Sequence, residues 1–268
     1  MIKASALLLF CTFLFAAPSF ARDFDGIIEA RQSVEIRSSI EAVIEAIHVK
    51  RGDFVRKGQV LVTLESGAEK AALELARSRA TMQGEIKAAE ARLELARKKY
   101  QQAQELYEQK FVSATARDEA VADYKLASEQ LRQANENQVL AQLEVKRTSE
   151  ILALRTIRSP LTGVVVEKVL SPGDLATSNL KDPILRLVQI NPLNVEVVLP
   201  VSEFGRVKSG TKAIVFPEKP IGGEYRATVT IVDKVVDAAS GTFGVRLELP
   251  NRSRRIPPGI KCSVRFPQ

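Results

Sequence analysis

Two short stretches of this chain, RSSIEAV (residues 37–43) and RSPLTGV (residues 158–164), lie 121 positions apart and share Arg, Ser and Val at matching places. The same offset aligns RGD at residues 51–53 with PGD at residues 172–174. A match held at one offset over separate stretches indicates an internal repeat. Each copy predicts a strand, a Gly-Asp turn and a second strand, with glycine where the backbone takes a positive φ.

The two copies flank a segment of different composition. Residues 68–154 contain Gly84 as their only glycine and no proline, whereas both residue types return often from Ser159 onward, between short β-branched runs. This order predicts strands, then helices, then strands. Each copy alone has too few strands to bury a core, so we predict one sandwich whose halves are separated by a helical insertion. The residues assigned to its structural turns are Gly52, Asp53, Gly163, Gly173 and Asp174.

The helical insertion carries an alanine-rich, seven-residue repeat. One series is Leu75, Met82, Ala89, Ala96 and Ala103, with the companions Ile86, Leu93, Tyr100 and Tyr107. After a break the series resume as Ala120, Ala127, Ala134 and Ala141, with the companions Tyr124, Leu131, Val145 and Leu152 and an interruption at polar Gln138. A seven-residue period predicts one apolar seam on each helix and left-handed supercoiling. We expect two antiparallel arms of about 40 residues, each roughly 60 Å long.

The break between the arms lies at residues 110–113. Ser113 is expected to cap the second helix, because its hydroxyl can accept a hydrogen bond from an amide in the next turn. Beside this cap, Phe111 and Val112 form an apolar pair that either inserts into a groove of a partner or only closes the turn. Arg117, one turn further on, either contacts the partner or is solvated.

The C-terminal part, from about Asn191 to Gln268, predicts a small β-barrel. Short β-branched runs alternate there with turns that contain glycine or proline, a pattern typical of such barrels. Residues 26–30 are expected to add a strand to it. The predicted strands are residues 195–199, 212–216, 227–232, 243–247 and 262–266.

The first 21 residues predict a secretory signal peptide. Lys3 precedes an apolar run from Ala6 to Ala17, and small residues suited to cleavage end at Ala21. The run is too short for a comfortable transmembrane helix. We therefore expect cleavage after Ala21 and an exported chain that is soluble or peripherally attached to a membrane; an uncleaved anchor is the alternative.

Composition argues against several classes of function. Cys11 lies in the signal peptide, so Cys262 is expected to be a lone, small, buried hydrophobe in a strand. The single histidine, His48, cannot build a His-rich metal site. The formal charge of +7 alternates in sign along the helices and, together with export, argues against nucleic acid. The sequence has neither a Gly-rich phosphate loop nor a Ser/His/Asp set of the kind that would indicate an enzyme.

These features, taken in order, resemble the membrane fusion proteins, the HlyD-like periplasmic adaptor subunits of tripartite efflux and secretion systems. The resemblance covers nearly the whole mature chain and rests on VKRGDFVRKGQVL (49–61), TIRSPLTGVV (156–165) and PGD (172–174), with VKSG (207–210) and Pro258-Gly259 in the predicted barrel. It implies a mainly β protein: a lipoyl-like β-sandwich split by an antiparallel coiled-coil α-hairpin, plus a small β-barrel.

On this basis we divide the chain into six parts. They are the signal peptide (1–21), an N-terminal strand joining the barrel (22–34), the first lipoyl-like half (35–67), the α-hairpin (68–155), the second lipoyl-like half (156–190) and the barrel (191–268). Lipoyl carriers present a modified lysine between their halves, but residues 64–68 hold no lysine there. We therefore expect no cofactor.

The resemblance implies a periplasmic adaptor, peripherally associated with the inner membrane, that links an inner-membrane transporter of the resistance-nodulation-division (RND) type to an outer-membrane channel. The cargo would be small molecules or metal ions, and the adaptor would assemble as a hexameric ring or a trimer of dimers. The alternatives are an adaptor of an ABC-type exporter and a structural coiled-coil spacer without a transport role.

The resemblance also places channel docking at the hairpin tip. Relatives carry an Arg there, a Leu four residues on and a Ser seven beyond that. Leu106 and Ser113 fit this spacing, but the Arg position holds Gln102, which favours a variant channel. The predicted docking residues are Gln102, Leu106, Phe111, Val112, Ser113 and Arg117.

Overall fold

The computed structural model of the chain describes residues 23–177 and 183–267, so the predicted signal peptide lies outside the described residues. The strands are β1 (Asp23–Ile36), β2 (Ala42–Ile47), β3 (Phe54–Val55), β4 (Val60–Leu64), β5 (Thr156–Arg158), β6 (Gly163–Lys168), β7 (Leu175–Ala176), β8 (Leu185–Pro200), β9 (Lys212–Pro217), β10 (Tyr225–Val232), β11 (Thr242–Leu249) and β12 (Ile260–Arg265). The helices are α1 (Gly67–Thr81), α2 (Gly84–Glu108) and α3 (Ala114–Ala153), with a 3-10 turn at Val201–Glu203.

The chain folds into two compact units. Of the described residues, the barrel unit contains 23–34 and 188–267, and the sandwich unit contains 35–177 and 183–187, including the helices. In the barrel unit the strands follow the order β1-β12-β9-β10-β11-β8, and β1 also pairs with β8, which closes the sheet. The predicted strand at residues 26–30 is confirmed, because β1 pairs antiparallel with β12 there.

The barrel core follows from the two-residue period of its strands. Val195, Val197 and Leu199 of β8 point inward and are buried, whereas Val198 between them is exposed. Cys262 of β12 belongs to the same core, as predicted. Burial in this apolar setting raises the pKa of the Cys262 thiol to about 11, so the thiol stays protonated near neutral pH.

The two repeat copies of the sandwich unit hold each other by reciprocal backbone hydrogen bonds. The Gly-Asp turn of each copy bonds to a strand of the other, at positions related by the repeat offset. The four bonds run from Gly52 N to Val165 O (2.8 Å), from Val165 N to Asp53 O (2.9 Å), from Gly173 N to Ile44 O (2.9 Å) and from Ile44 N to Asp174 O (2.9 Å). We call this arrangement the repeat clasp.

Each turn of the clasp is shaped by its glycine and aspartate. Gly52 and Gly173 have φ of 94° and 93°, a region that side chains with a Cβ rarely adopt. The Asp53 carboxylate accepts a hydrogen bond from the Lys50 amide (2.8 Å), and Asp174 accepts one in the same way from Ser171 (2.7 Å).

The turn prediction for Gly163 is wrong. Gly163 is buried and is the first residue of β6. It pairs there with Val55 of β3, because the chain bends earlier, at residues 160–162.

The helical hairpin has the predicted alanine seam along α2 and α3. Ala89 and Ala96 of α2 and Ala127 and Ala134 of α3 are all buried, since small side chains let the helices approach closely. The outer flanks carry solvated ion pairs within one helix, such as Arg132 with Glu129 and Glu136.

The first arm differs from the prediction of one continuous helix. It breaks at Met82, whose backbone is extended, and Gly84, a poor helix former, begins α2. The break shifts the seam: Leu73 and Ala76 are buried in α1, whereas the predicted seam residues Leu75 and Met82 are exposed.

Gln138, the polar interruption of the α3 seam, lies opposite the break in the first arm. Its side-chain amide donates a long hydrogen bond of 3.5 Å to the Ala80 carbonyl. A break leaves carbonyls of the last helical turn without hydrogen-bond partners in the helix. Gln138, which interrupts the apolar seam of α3, therefore supplies a donor to one of these carbonyls.

Gly52→Ala should lower the free energy of unfolding by about 1–2 kcal/mol, because a residue with a Cβ is strained at positive φ. The added Cβ meets no atom within 4 Å, so no clash contributes. Gly67→Ala is the matched control: its Cβ is equally unobstructed, and its position at the start of α1 favours alanine. Denaturant unfolding followed by circular dichroism measures both; equal losses would contradict the role of the turn.

Ala127→Leu should destabilise the hairpin by about 1–3 kcal/mol, because the larger side chain overpacks the seam. Ala122→Leu, at an exposed position of the same helix, should leave stability nearly unchanged. Thermal melting followed by helical circular dichroism compares them. A seam variant as stable as the control would show that the arms do not pack closely at Ala127.

Candidate docking site at the hairpin tip

Across residues 23–177 and 183–267, no group of three or more His, Cys, Asp or Glu side chains is placed to hold a metal ion. Within the same ranges, every helix is too short or too polar to cross a bilayer. His48 lies in the sandwich, where its Nε2 contacts the Thr63 hydroxyl at 2.7 Å.

The tip begins with a tight termination of α2. Lys110 has a left-handed backbone with φ of 63°; its amide donates to the Tyr107 carbonyl (2.9 Å), and the Phe111 amide donates to the Leu106 carbonyl (2.8 Å). These two bonds are the Schellman pattern that ends many helices, usually with glycine at the left-handed position. The backbone of Phe111 is therefore fixed by α2.

Helix α3 begins at Ala114, four residues after Lys110, and has the predicted cap. The Ser113 hydroxyl accepts a hydrogen bond from the Ala116 amide (3.2 Å), while the Ser113 backbone is extended. Both ends of the short link are thus held by hydrogen bonds, and residues 109–113 form a defined turn.

Apart from Ser113, which caps α3, the predicted docking residues divide into two groups. Gln102 and Leu106 lie one helical turn apart on the same face of α2, and Leu106 is 41% exposed. Phe111 is 74% exposed, whereas Val112 beside it is half-buried. Apart from Val112, the residues of this first group present their side chains to solvent.

Arg117 forms the second group and is not a free cation. Its guanidinium lies 4.7 Å from the centre of the Tyr107 ring and makes a salt bridge of 2.7 Å to Asp118. This placement joins the start of α3 to the end of α2, so Arg117 stabilises the tip from within.

Two aromatic contacts of the tip were not anticipated from the sequence. Tyr107 receives Arg117, and further down the seam Tyr100 stacks on Tyr124 with ring centres 5.6 Å apart. The sequence did indicate that these tyrosines lie near the seam, because Tyr100 and Tyr107 occupy the companion series of the heptad. Only the register between the arms decides which residues meet across the seam.

Ser113→Ala should destabilise the tip by about 0.5–2 kcal/mol through loss of the cap, whereas Ser113→Asp, which can accept the same hydrogen bond, should retain it. Amide hydrogen exchange at residues 114–117 is the measurement. Faster exchange in the alanine variant alone identifies Ser113 as a structural cap; equal exchange in both variants would contradict this role.

The chain matches two family descriptions in succession. Residues 32–181 match the "CzcB-like, barrel-sandwich hybrid domain", and residues 193–268 match the "CusB-like, beta-barrel domain". The first match alone covers more than half of the chain.

Curated relatives agree with this assignment. The cobalt-zinc-cadmium resistance protein CzcB of Cupriavidus metallidurans is 26% identical over 227 residues, which are 84% of this chain and 40% of that protein. The multidrug resistance protein MdtE of Escherichia coli is 26% identical over 238 residues, covering 84% of this chain and 58% of that protein. The chain thus spans about half the length of these relatives.

Among solved structures, MacA from Actinobacillus actinomycetemcomitans superposes with a TM-score of 0.75 at 21% identity, covering 91% of this chain and 77% of that one. This likeness concerns the fold. The family matches over the sandwich and barrel lead to one conclusion: the chain belongs to the CzcB-like membrane fusion proteins.

Proposed function

We propose that this protein links an inner-membrane RND-type transporter to an outer-membrane channel, with the hairpin tip as the channel-docking end. The observation that carries the proposal is the exposed Phe111 beside Leu106, on a turn fixed by the Schellman bonds and the Ser113 cap. An apolar side chain on a rigid turn suits insertion into a groove between helices of a partner, because little conformational freedom is lost on binding.

The hairpin gives this tip its reach. Helix α3 is 40 residues long, so at ~1.5 Å per residue it extends the tip about 60 Å from the sandwich. The alanine seam and the Tyr100–Tyr124 stack hold the two arms together over this length. A long, stiff and largely solvated projection suits a protein that bridges two partners.

Assembly of several copies side by side completes the proposal. The hairpin carries exposed apolar residues away from its seam on both arms, including Leu95 on α2 and Leu140 and Leu143 on α3. Pairing of such outer faces between copies would repeat one contact around a ring, and the ring would enclose a conduit. We expect a hexameric ring or a trimer of dimers.

The cargo would be metal cations or small organic molecules. The names of the relatives support both classes, since one is a cobalt-zinc-cadmium resistance protein and the other a multidrug resistance protein. The family is not enzymatic. The described residues contain no cluster of side chains that could bind a metal cargo, so we assign the choice of cargo to the transporter. Export by the predicted signal peptide, residues 1–21, and peripheral association with the inner membrane complete the proposed location.

Leu106→Glu should abolish transport, measured as loss of resistance in cells that lack the chromosomal adaptor, because a carboxylate would have to be desolvated in an apolar contact. Leu175→Glu is the matched control: Leu175 is 50% exposed on β7 of the sandwich, outside the hairpin.

Both variants should melt like the unchanged chain, since each replaced side chain already faces solvent. Normal resistance with Leu106→Glu would count against docking at the tip. Loss of resistance with Leu175→Glu alone would place the essential contact on the sandwich instead of the tip.

A further inference from the structure

One end of the barrel unit is formed by two loops with unusual surface chemistry. They are residues 201–211, which follow β8, and residues 233–241, which connect β10 to β11. The Val201 amide donates to the Gly241 carbonyl (2.9 Å), and the Gly210 amide donates to the Val229 carbonyl (2.8 Å), so both loops lie at the same end of the barrel. We call residues 201–211 and 233–241, with the adjoining Lys212, the loop end.

The loop end exposes three large apolar side chains. Val201 is 51% exposed, Phe204 49% and Val235 80%. Phe204 packs edge-on against Phe243, with ring centres 5.2 Å apart, so its outer face is held toward solvent. Exposed apolar side chains that cluster on neighbouring loops indicate an interaction surface.

The charges of the loop end favour an anionic partner. Lys208, Lys212 and Lys234 are exposed, and none of them makes a salt bridge with a carboxylate of the described residues. Glu203 forms an ion pair with Arg206, and the two other carboxylates of the loop end, Asp233 and Asp237, are outnumbered by the three lysines. The loop end therefore combines apolar tips with three lysines that form no ion pair within the described residues and with a small excess of positive charge.

The path of the chain connects the same end to the predicted signal peptide. Asp23, the start of β1, pairs with Arg265, and Arg265 pairs with Ile214, two residues beyond Lys212. The chain thus enters the barrel at the loop end. In the sequence, the apolar run from Ala6 to Ala17 stops six residues before Asp23, so in the alternative of an uncleaved anchor the loop end is the first part of the fold after the membrane segment.

We propose that the loop end binds the anionic surface of a lipid bilayer. Val201, Phe204 and Val235 enter the headgroup region, and Lys208, Lys212 and Lys234 contact lipid phosphates. Apolar side chains that bury in the interface, together with lysines near an anionic surface, give the two contributions that peripheral attachment requires. The surface lies on the barrel and not on the hairpin, so it is tested independently of channel docking.

The chain contains no tryptophan, which allows a site-specific fluorescence test. Val235→Trp places one reporter on the loop end, and Leu140→Trp places one at a similarly exposed apolar position on the hairpin. Each full-length variant is mixed with vesicles of phosphatidylcholine containing phosphatidylglycerol, or of phosphatidylcholine alone. We expect a blue shift and quenching by brominated lipid for Val235→Trp with the anionic vesicles, and no change for Leu140→Trp.

This comparison also separates the loop end from the N-terminal segment. If residues 1–21 remain attached, they tether both variants to vesicles equally, but only a reporter that meets the bilayer changes its emission. An unchanged Val235→Trp spectrum, or an equal response of the two reporters, would overturn the proposal. A response to the purified transporter and not to vesicles would assign the surface to a protein partner and overturn it as well.

The lysines are tested in the Val235→Trp background. Replacing Lys208 and Lys234 together by Gln should weaken partition into anionic vesicles on the order of 30-fold, since each lysine near such a surface contributes about one kcal/mol. Replacing Lys125 and Lys146 of α3, which are also exposed, by Gln is the matched control and should have little effect. Equal binding to neutral and anionic vesicles would refute the role of the lysines.

Discussion

The repeat clasp is the interaction on which the rest of the structure depends. Neither copy can satisfy its own turn, because Gly52 and Asp53 bond to Val165 while Gly173 and Asp174 bond to Ile44. Buried backbone groups without partners are costly, so each half of the sandwich requires the other. The helical insertion must therefore return to the point from which it left, and a long hairpin is the simplest structure that does so.

The base of the hairpin is secured where the clasped halves meet the helices. The Leu64 amide donates to the Arg155 carbonyl (2.8 Å), and the largely buried Arg155 guanidinium pairs with Glu69 at the start of α1. At the other end, the tip is fixed by helix termination, the Ser113 cap and the Arg117–Tyr107 contact. Both ends of the hairpin are thus held by hydrogen bonds, an ion pair and a cation–π contact.

The success of sequence-based prediction differed between elements for physical reasons. Strand and turn positions followed from a two-residue period and from glycines that need positive φ, and the alanines of α2 and α3 followed from the heptad. The prediction was wrong at Leu75 and Met82 because the break at Met82 shifts the seam. Periodicity within one helix carries no information about a discontinuity that the opposing residue, Gln138, helps to satisfy.

The sequence by itself determined that two matched halves enclose a long alanine-seamed hairpin, that Ser113 caps its second helix and that Phe111 lies at its tip. Local hydrogen bonding and side-chain size decide these features. Only the tertiary structure decided that Arg117 packs on Tyr107, that Gly163 begins a strand, and that Val201, Phe204 and Val235 share one end of the barrel with unpaired lysines. These features depend on which distant residues the fold brings together, and no spacing along the chain encodes that proximity.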